Sequence, residues 1–115
     1  MTILLVEDDD RVFRAVSRLA HGFGHDMLRT QSTEETLGVL ERGGVDLVLA
    51  DLDLGGDSGV DLLERIRARH PGVSRVLISG YDPPAEFADD PPHQIFLAKP
   101  FGRAEFASLC AAVAK

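Results

Sequence analysis

The feature that most narrows what this chain can fold into is the run Val45-Asp46-Leu47-Val48-Leu49-Ala50-Asp51, followed by Leu52-Asp53-Leu54-Gly55-Gly56-Asp57-Ser58-Gly59. The unbroken apolar stretch from Leu47 to Ala50 leaves no polar face, so it reads as a strand covered on both sides, the environment of a parallel sheet. The run stops at Asp51. A carboxylate ending a buried strand is costly unless it lies at the rim, near water, a metal or a cationic partner. The glycines that follow let the backbone turn sharply and approach a ligand closely. In open α/β sheets ligands bind in the crevice outside the carboxyl ends of the strands. Asp51 is therefore the first candidate for chemistry.

The same pattern recurs along the chain. Ile3-Leu4-Leu5-Val6 is a second buried strand, and it too ends in carboxylates, Glu7, Asp8, Asp9 and Asp10. Val12, Phe13, Val16, Leu19, Ala20 and Phe23 then recur with a helical period, capped by Asp9 or Asp10 and ended by Gly22 or Gly24. His25 to Thr30 is a weaker strand. Ser32-Thr33-Glu34-Glu35 is a capping box for a helix carrying Leu37 and Leu40, closed by Gly43-Gly44. Ser58 starts a helix through Val60, Leu63 and Ile66 that Pro71-Gly72 stops. Arg75-Val76-Leu77-Ile78 is a buried strand ending at Ser79-Gly80, and Ile95-Phe96-Leu97-Ala98 another ending at Lys99-Pro100. Phe106, Leu109, Cys110 and Val113 line a last helix.

Alternating strands and helices predict a doubly wound α/β fold: a five-stranded parallel sheet with helices on both faces. Right-handed crossovers put every strand's carboxyl end on one rim. Glu7, Asp8, Asp51, Ser79 and Lys99 each follow a strand, so all should collect there. The segment from Tyr81 to His93 holds four of the six prolines. Pro83-Pro84 can open a helix, but Asp90 precedes Pro91 and is pushed to an extended conformation, which allows a short or irregular fourth helix at most. Phe87 is its one large apolar anchor.

Length and charge bound the function. At 115 residues the chain is expected to be one domain, residues 1–115. A formal charge of −7 argues against direct nucleic-acid binding and against an anionic membrane surface, which both call for excess Lys and Arg. The apolar run Ile3–Val6 is too short for a signal peptide or membrane span. The lone Cys110 cannot form an internal disulfide, and a cytoplasmic setting is expected. His21, His25, His70 and His93 lack metal-ligand spacing.

The rim set has a definite chemistry. Crowded acids repel unless a cation sits among them, and oxygen ligands favour a hard ion such as Mg²⁺. A carboxylate can act as a nucleophile toward phosphorus, giving an aspartyl-phosphate. Catalysis is then positioning and charge neutralisation. Asp51 is the expected nucleophile, Glu7 and Asp8 hold the metal with Asp51, Lys99 pairs with the phosphoryl oxygens, and Ser79 donates a hydrogen bond to them.

With these residues in view, the whole chain resembles the receiver domains of two-component response regulators. Glu7-Asp8 following Ile3–Val6 resembles the acid pair, Asp46–Asp51 with Gly59 eight residues on the phosphoacceptor strand and its turn, Ile78-Ser79-Gly80 the switch hydroxyl, and Lys99-Pro100-Phe101 the closing motif. The resemblance implies the flavodoxin-like strand order 2-1-3-4-5, a metal ligand in the backbone carbonyl of Asp53, a switch aromatic at Phe96 and a cis Lys99–Pro100 bond. Phe96 reads equally well as a plain core aromatic. Gly55 stands where the family commonly has proline, which implies a more flexible loop. The resemblance further implies a domain that is not an enzyme acting on a separate substrate. It takes its phosphoryl group from a sensor histidine kinase or a histidine phosphotransfer protein, loses it by its own hydrolysis, and signals to a downstream protein target.

Two rival readings stand beside this one. Asp51-Leu52-Asp53 resembles the paired aspartates of haloacid-dehalogenase-like phosphohydrolases, but here the extra acids lie upstream and no segment could form a cap. A degenerate receiver serving only as a binding module is opposed by the intact acids, Ser79 and Lys99.

Overall fold

Runs without a polar face became central strands, because each must be covered on both sides. The computed structural model describes residues 1–54, 57–87, 90 and 93–113. In chain order its elements are β1 (Thr2–Val6), α1 (Asp10–Gly22), β2 (Asp26–Thr30), α2 (Thr33–Glu41), β3 (Leu47–Asp51), β4 (Asp53–Leu54), β5 (Asp57–Ser58), α3 (Gly59–Arg69), β6 (Ser74–Ser79), β7 (Gln94–Ala98) and α4 (Arg103–Val113). Five strands form one sheet in the order β2-β1-β3-β6-β7, with every neighbouring pair parallel. Setting aside the two-residue strands β4 and β5, this is the expected 2-1-3-4-5 order.

Successive side chains of a strand point to opposite faces, and the core divides accordingly. Ile3, Leu5, Leu47, Leu49, Val76 and Ile78 pack with Val16 and Ala20 of α1 and Phe106, Leu109 and Cys110 of α4. Leu4, Val6, Val48, Ala50 and Leu77 pack on the other face with Leu40 of α2 and Leu62, Leu63 and Ile66 of α3. Cys110 is a buried core residue whose burial raises its thiol pKa.

The helix ends follow their capping residues. Asp9 caps α1, accepting from the N–H groups of Arg11 and Val12, and Gly24 beyond it takes a positive φ. Ser32 caps α2 by accepting from Glu35 N–H at 3.1 Å, while the Glu35 carboxylate accepts from Gln31 N–H at 2.8 Å. Ser58 caps α3 through Asp61 N–H.

Two regions differ from a plain reading of loops. The stretch after Asp51 contains an antiparallel hairpin, β4 with β5; two-residue strands carry no periodicity, so the sequence does not announce it. Gly55 and Gly56, where a more flexible loop is expected, lie outside the described residues. Between β6 and β7 no helix occurs among the described residues. Ala85 and Glu86 form a turn, Phe87 N–H donates to Pro84 O at 3.0 Å, and Asp90 makes an isolated bridge with Gln94. Phe87 is buried in the α2–α3 face of the core and meets Phe96 edge-on, ring centroids 6.4 Å apart.

Candidate functional site

At the rim of carboxyl ends the structure brings Asp51, Ser79 and Lys99 together on adjacent strands, with Glu7 beyond the end of β1. Asp51 ends β3, paired in register with Ile78, one residue before Ser79 ends β6. Ser79 is paired with Ala98, one residue before Lys99. Lys99 N–H donates to Ser79 O at 2.8 Å and Leu52 N–H donates to Ile78 O at 2.9 Å, so the ladder continues past the strands and fixes the spacing of the three groups. The Lys99–Pro100 peptide is cis.

Lys99 Nζ donates to Asp51 Oδ2 in a direct ion pair, and Asp51 Oδ1 accepts from Asp53 N–H at 3.1 Å. Asp51 is 18 % exposed and Lys99 36 %, so the pair is partly withdrawn from solvent yet open to a reactant. Glu7, beyond β1, has its proton affinity raised, first by burial and then by the charges of Asp51 and Asp8, against the opposing pull of Asp9 N–H and Lys99. Its carboxylate accepts from Asp9 N–H at 3.2 Å. Asp8 is exposed. Ser79 is buried, and its Oγ accepts from Tyr81 N–H at 3.0 Å, which leaves the hydroxyl hydrogen to donate elsewhere. Phe96 lies half-buried on the core, against Phe87.

Among the described residues no three acidic, histidine or cysteine side chains converge closely enough to hold a metal ion. Asp51 instead has an ammonium as its cationic partner. The donor chemistry is that of a hard cation: the carboxylates here lie at the ends of the adjacent strands β1 and β3 and offer oxygen ligands alone.

Two contributors were not evident from residue types alone. A Cβ on Gly59 would overlap the Asp51 carbonyl oxygen and lie 2.9 Å from the Asp51 carbonyl carbon, so the start of α3 packs directly on the backbone of Asp51. Arg29, at the end of β2, donates through Nε to the carbonyl of Glu7 at 2.9 Å. The spacing of Gly59 from Asp51 was a sequence signal for the first. An arginine near the end of a weak strand gave none for the second.

Fold and rim together define a doubly wound α/β domain with an acid, a hydroxyl and a lysine on three adjacent strand ends. Comparison with known proteins agrees. The model of the response regulator receiver domain family matches residues 3–111, and the chain belongs to that family. Sensor kinase CckA of Brucella abortus is 34% identical over 112 residues, covering 93% of this chain and 12% of that protein. Response regulator protein FleR of Pseudomonas aeruginosa is 37% identical over 79 residues, covering 69% and 17%. The chain thus spans less than a fifth of the length of either. Among solved structures, the receiver domain of hybrid histidine kinase CckA superposes with a TM-score of 0.81 at 28% identity, covering 100% of both chains. The chemotaxis protein CheY4 of Vibrio cholerae, at 15% identity, shares the fold with a TM-score of 0.83 over 97% of each chain. Among the described residues no helix is long and apolar enough to cross a membrane.

Proposed function

We propose that Asp51 is the phosphoacceptor of this receiver domain, residues 1–115, and that Lys99, Ser79, Glu7, Asp8 and the carbonyl of Asp53 serve its transfer reaction. The observation that carries this reading is the Lys99 ammonium held on the Asp51 carboxylate at the rim where Glu7 and Ser79 also arrive. An Asp51 oxygen attacks phosphorus, the bond from phosphorus to the histidine nitrogen of a kinase or phosphotransfer protein breaks, and its electron pair returns to the imidazole. Lys99 then follows the phosphoryl oxygens, exchanging its carboxylate partner for them, and the Ser79 hydroxyl donates to one of them. Bound by Glu7, Asp8, Asp51 and the Asp53 carbonyl, Mg²⁺ would supply neutralisation of the negative charge that these oxygens bring. Hydrolysis of the acyl phosphate returns Asp51 to a carboxylate.

The reading extends to a two-state response. Movement of the Ser79 hydroxyl toward a phosphoryl group alters the end of β6 to which Lys99 N–H is bonded, and Phe96 lies three residues before Lys99 on the neighbouring β7. The partner face that fits is the groove of about 310 Å³ beside Lys99, lined by Val12, Ala15, Leu19, Pro100 and Phe101. Its apolar floor beside Lys99, the residue paired with Asp51, suits an apolar surface of a phosphohistidine donor.

Intact-mass measurement after incubation with a small phosphodonor tests the chemistry. One phosphoryl group should add in Mg²⁺ and none with chelator, and Asp51→Asn should take up none. Undiminished addition to Asp51→Asn would remove Asp51 from the role, and multiple-turnover release of phosphate from small organophosphates would favour a phosphohydrolase.

A further inference from the structure

We propose that Arg29 is a positioning residue for the acid loop: from the end of β2 it fixes the backbone of Glu7, and so the geometry in which Glu7 and Asp8 meet a divalent cation. The inference rests on the reading of the rim given above. The β1–β2 ladder ends with Val6 opposite Thr30, so Glu7 is the first residue beyond it. Its N–H donates to Thr30 O at 2.9 Å and its carbonyl accepts from Arg29 Nε at 2.9 Å. Both backbone polar groups of Glu7 are therefore held by β2.

The same guanidinium reaches across the loop. Arg29 Nη1 donates to Asp10 Oδ1 at 2.7 Å, at the first residue of α1, and the Arg29 Cζ lies 5.1 Å from the centre of the Phe13 ring, one turn into that helix. One planar fork thus ties together the start and the end of the segment Glu7-Asp8-Asp9-Asp10. Nη2 is buried and has no hydrogen-bond partner among the described residues, so the contacts that hold the group there are its two directed bonds and the aromatic face. A lysine could satisfy one of these contacts at a time, not the fork. Asp10 is an exposed partner and Arg29 a largely covered one, which makes the bond to the Glu7 carbonyl the one that fixes the loop.

Groups that orient metal ligands without touching the metal typically change affinity 10- to 100-fold when removed. Calorimetric titration of the unphosphorylated chain with Mg²⁺ tests the proposal. Arg29→Ala should weaken binding about tenfold, Arg29→Lys should restore little of it, and Asp10→Ala should stay within about twofold of wild type, because the Glu7 carbonyl is still held. Circular dichroism melts of the same proteins separate loss of fold from loss of geometry, and Arg29→Lys, which keeps charge and stem, decides the matter where Arg29→Ala is unfolded. Wild-type affinity in a folded Arg29→Lys would overturn the role of Arg29 and leave the rim reading intact. No Mg²⁺ binding by the wild type would overturn both.

Discussion

Lys99 and Asp51 show how a single pair can serve folding and reaction together. Asp51 is largely covered, and its two oxygens are met by different donors, an ammonium and the Asp53 N–H. Replacing Lys99 by alanine leaves the carboxylate with its backbone donor and with Glu7 as a like-charged neighbour. Because Lys99 itself is more than a third exposed, solvent screens the pair, and the stability lost should be modest, about 1 kcal/mol or less. The kinetic effect should be far larger. Removing one preorganised stabiliser of developing charge costs about 10²- to 10³-fold in rate, so phosphoryl uptake by Lys99→Ala, followed by intact mass against time, should slow by that order while its urea midpoint moves little. Uptake at the wild-type rate would mean that Lys99 serves only the fold. At this scale the sequence was informative, because Glu7, Asp51, Ser79 and Lys99 each interrupt an apolar run. Arg29 interrupts nothing, and its role depends on a through-space distance to Glu7 that one-dimensional spacing does not contain.

Among the elements, the junction of β3 and α3 is the most tightly constrained. Gly59 N–H donates to Leu52 O at 2.8 Å, and the Gly59 Cα faces the backbone of Asp51 with no room for a methyl group. Gly59→Ala should therefore destabilise the domain by about 1–3 kcal/mol or more, as an overpacked core does, and should slow phosphoryl uptake although no reactive group is removed. At Gly38, in the middle of α2, a methyl group would meet nothing within 4 Å among the described residues beyond its own helix; there the alanine variant should gain about 0.5–1 kcal/mol from reduced chain entropy. Chemical denaturation of both variants gives the comparison, and equal effects at the two glycines would refute the packing account. The larger elements were readable because apolar runs and helical periods extend over many residues. The β4–β5 hairpin was not, since two residues per strand show no period. Between β6 and β7 the prolines signalled a short or irregular helix at most, and none occurs among the described residues, but that Phe87 would reach the α2–α3 core followed only from the fold.

Across the whole molecule, acid residues outnumber bases 19 to 12, and two of them have opposite effects on the pH dependence of stability. Asp9 has its pKa lowered, chiefly by the backbone N–H of Arg11 that it caps, with Val12 N–H adding to it. Its contribution is present above the ordinary aspartate range and is lost as pH falls through its depressed folded value. Glu7 runs the other way. Burial and the charges of Asp51 and Asp8 raise its folded pKa, so the native state binds a proton more tightly than the unfolded chain does. Between the two values stability falls as pH rises, and above them the charged Glu7 is a standing penalty on the fold. Glu7→Gln should consequently melt higher than wild type at pH 7 without added divalent ion, and the difference should shrink as pH falls toward the unfolded glutamate value and both proteins become neutral at that position. Asp9→Ala should melt lower at pH 7, with its deficit closing only in stronger acid. Asp82→Asn, which removes a charge from an exposed position, controls for net charge alone. A gain in Glu7→Gln that persists unchanged in acid, or one matched by Asp82→Asn, would place the effect in packing or overall charge. A gain confined to neutral pH and to Glu7 would identify the crowding of the rim acids as a cost carried by the fold.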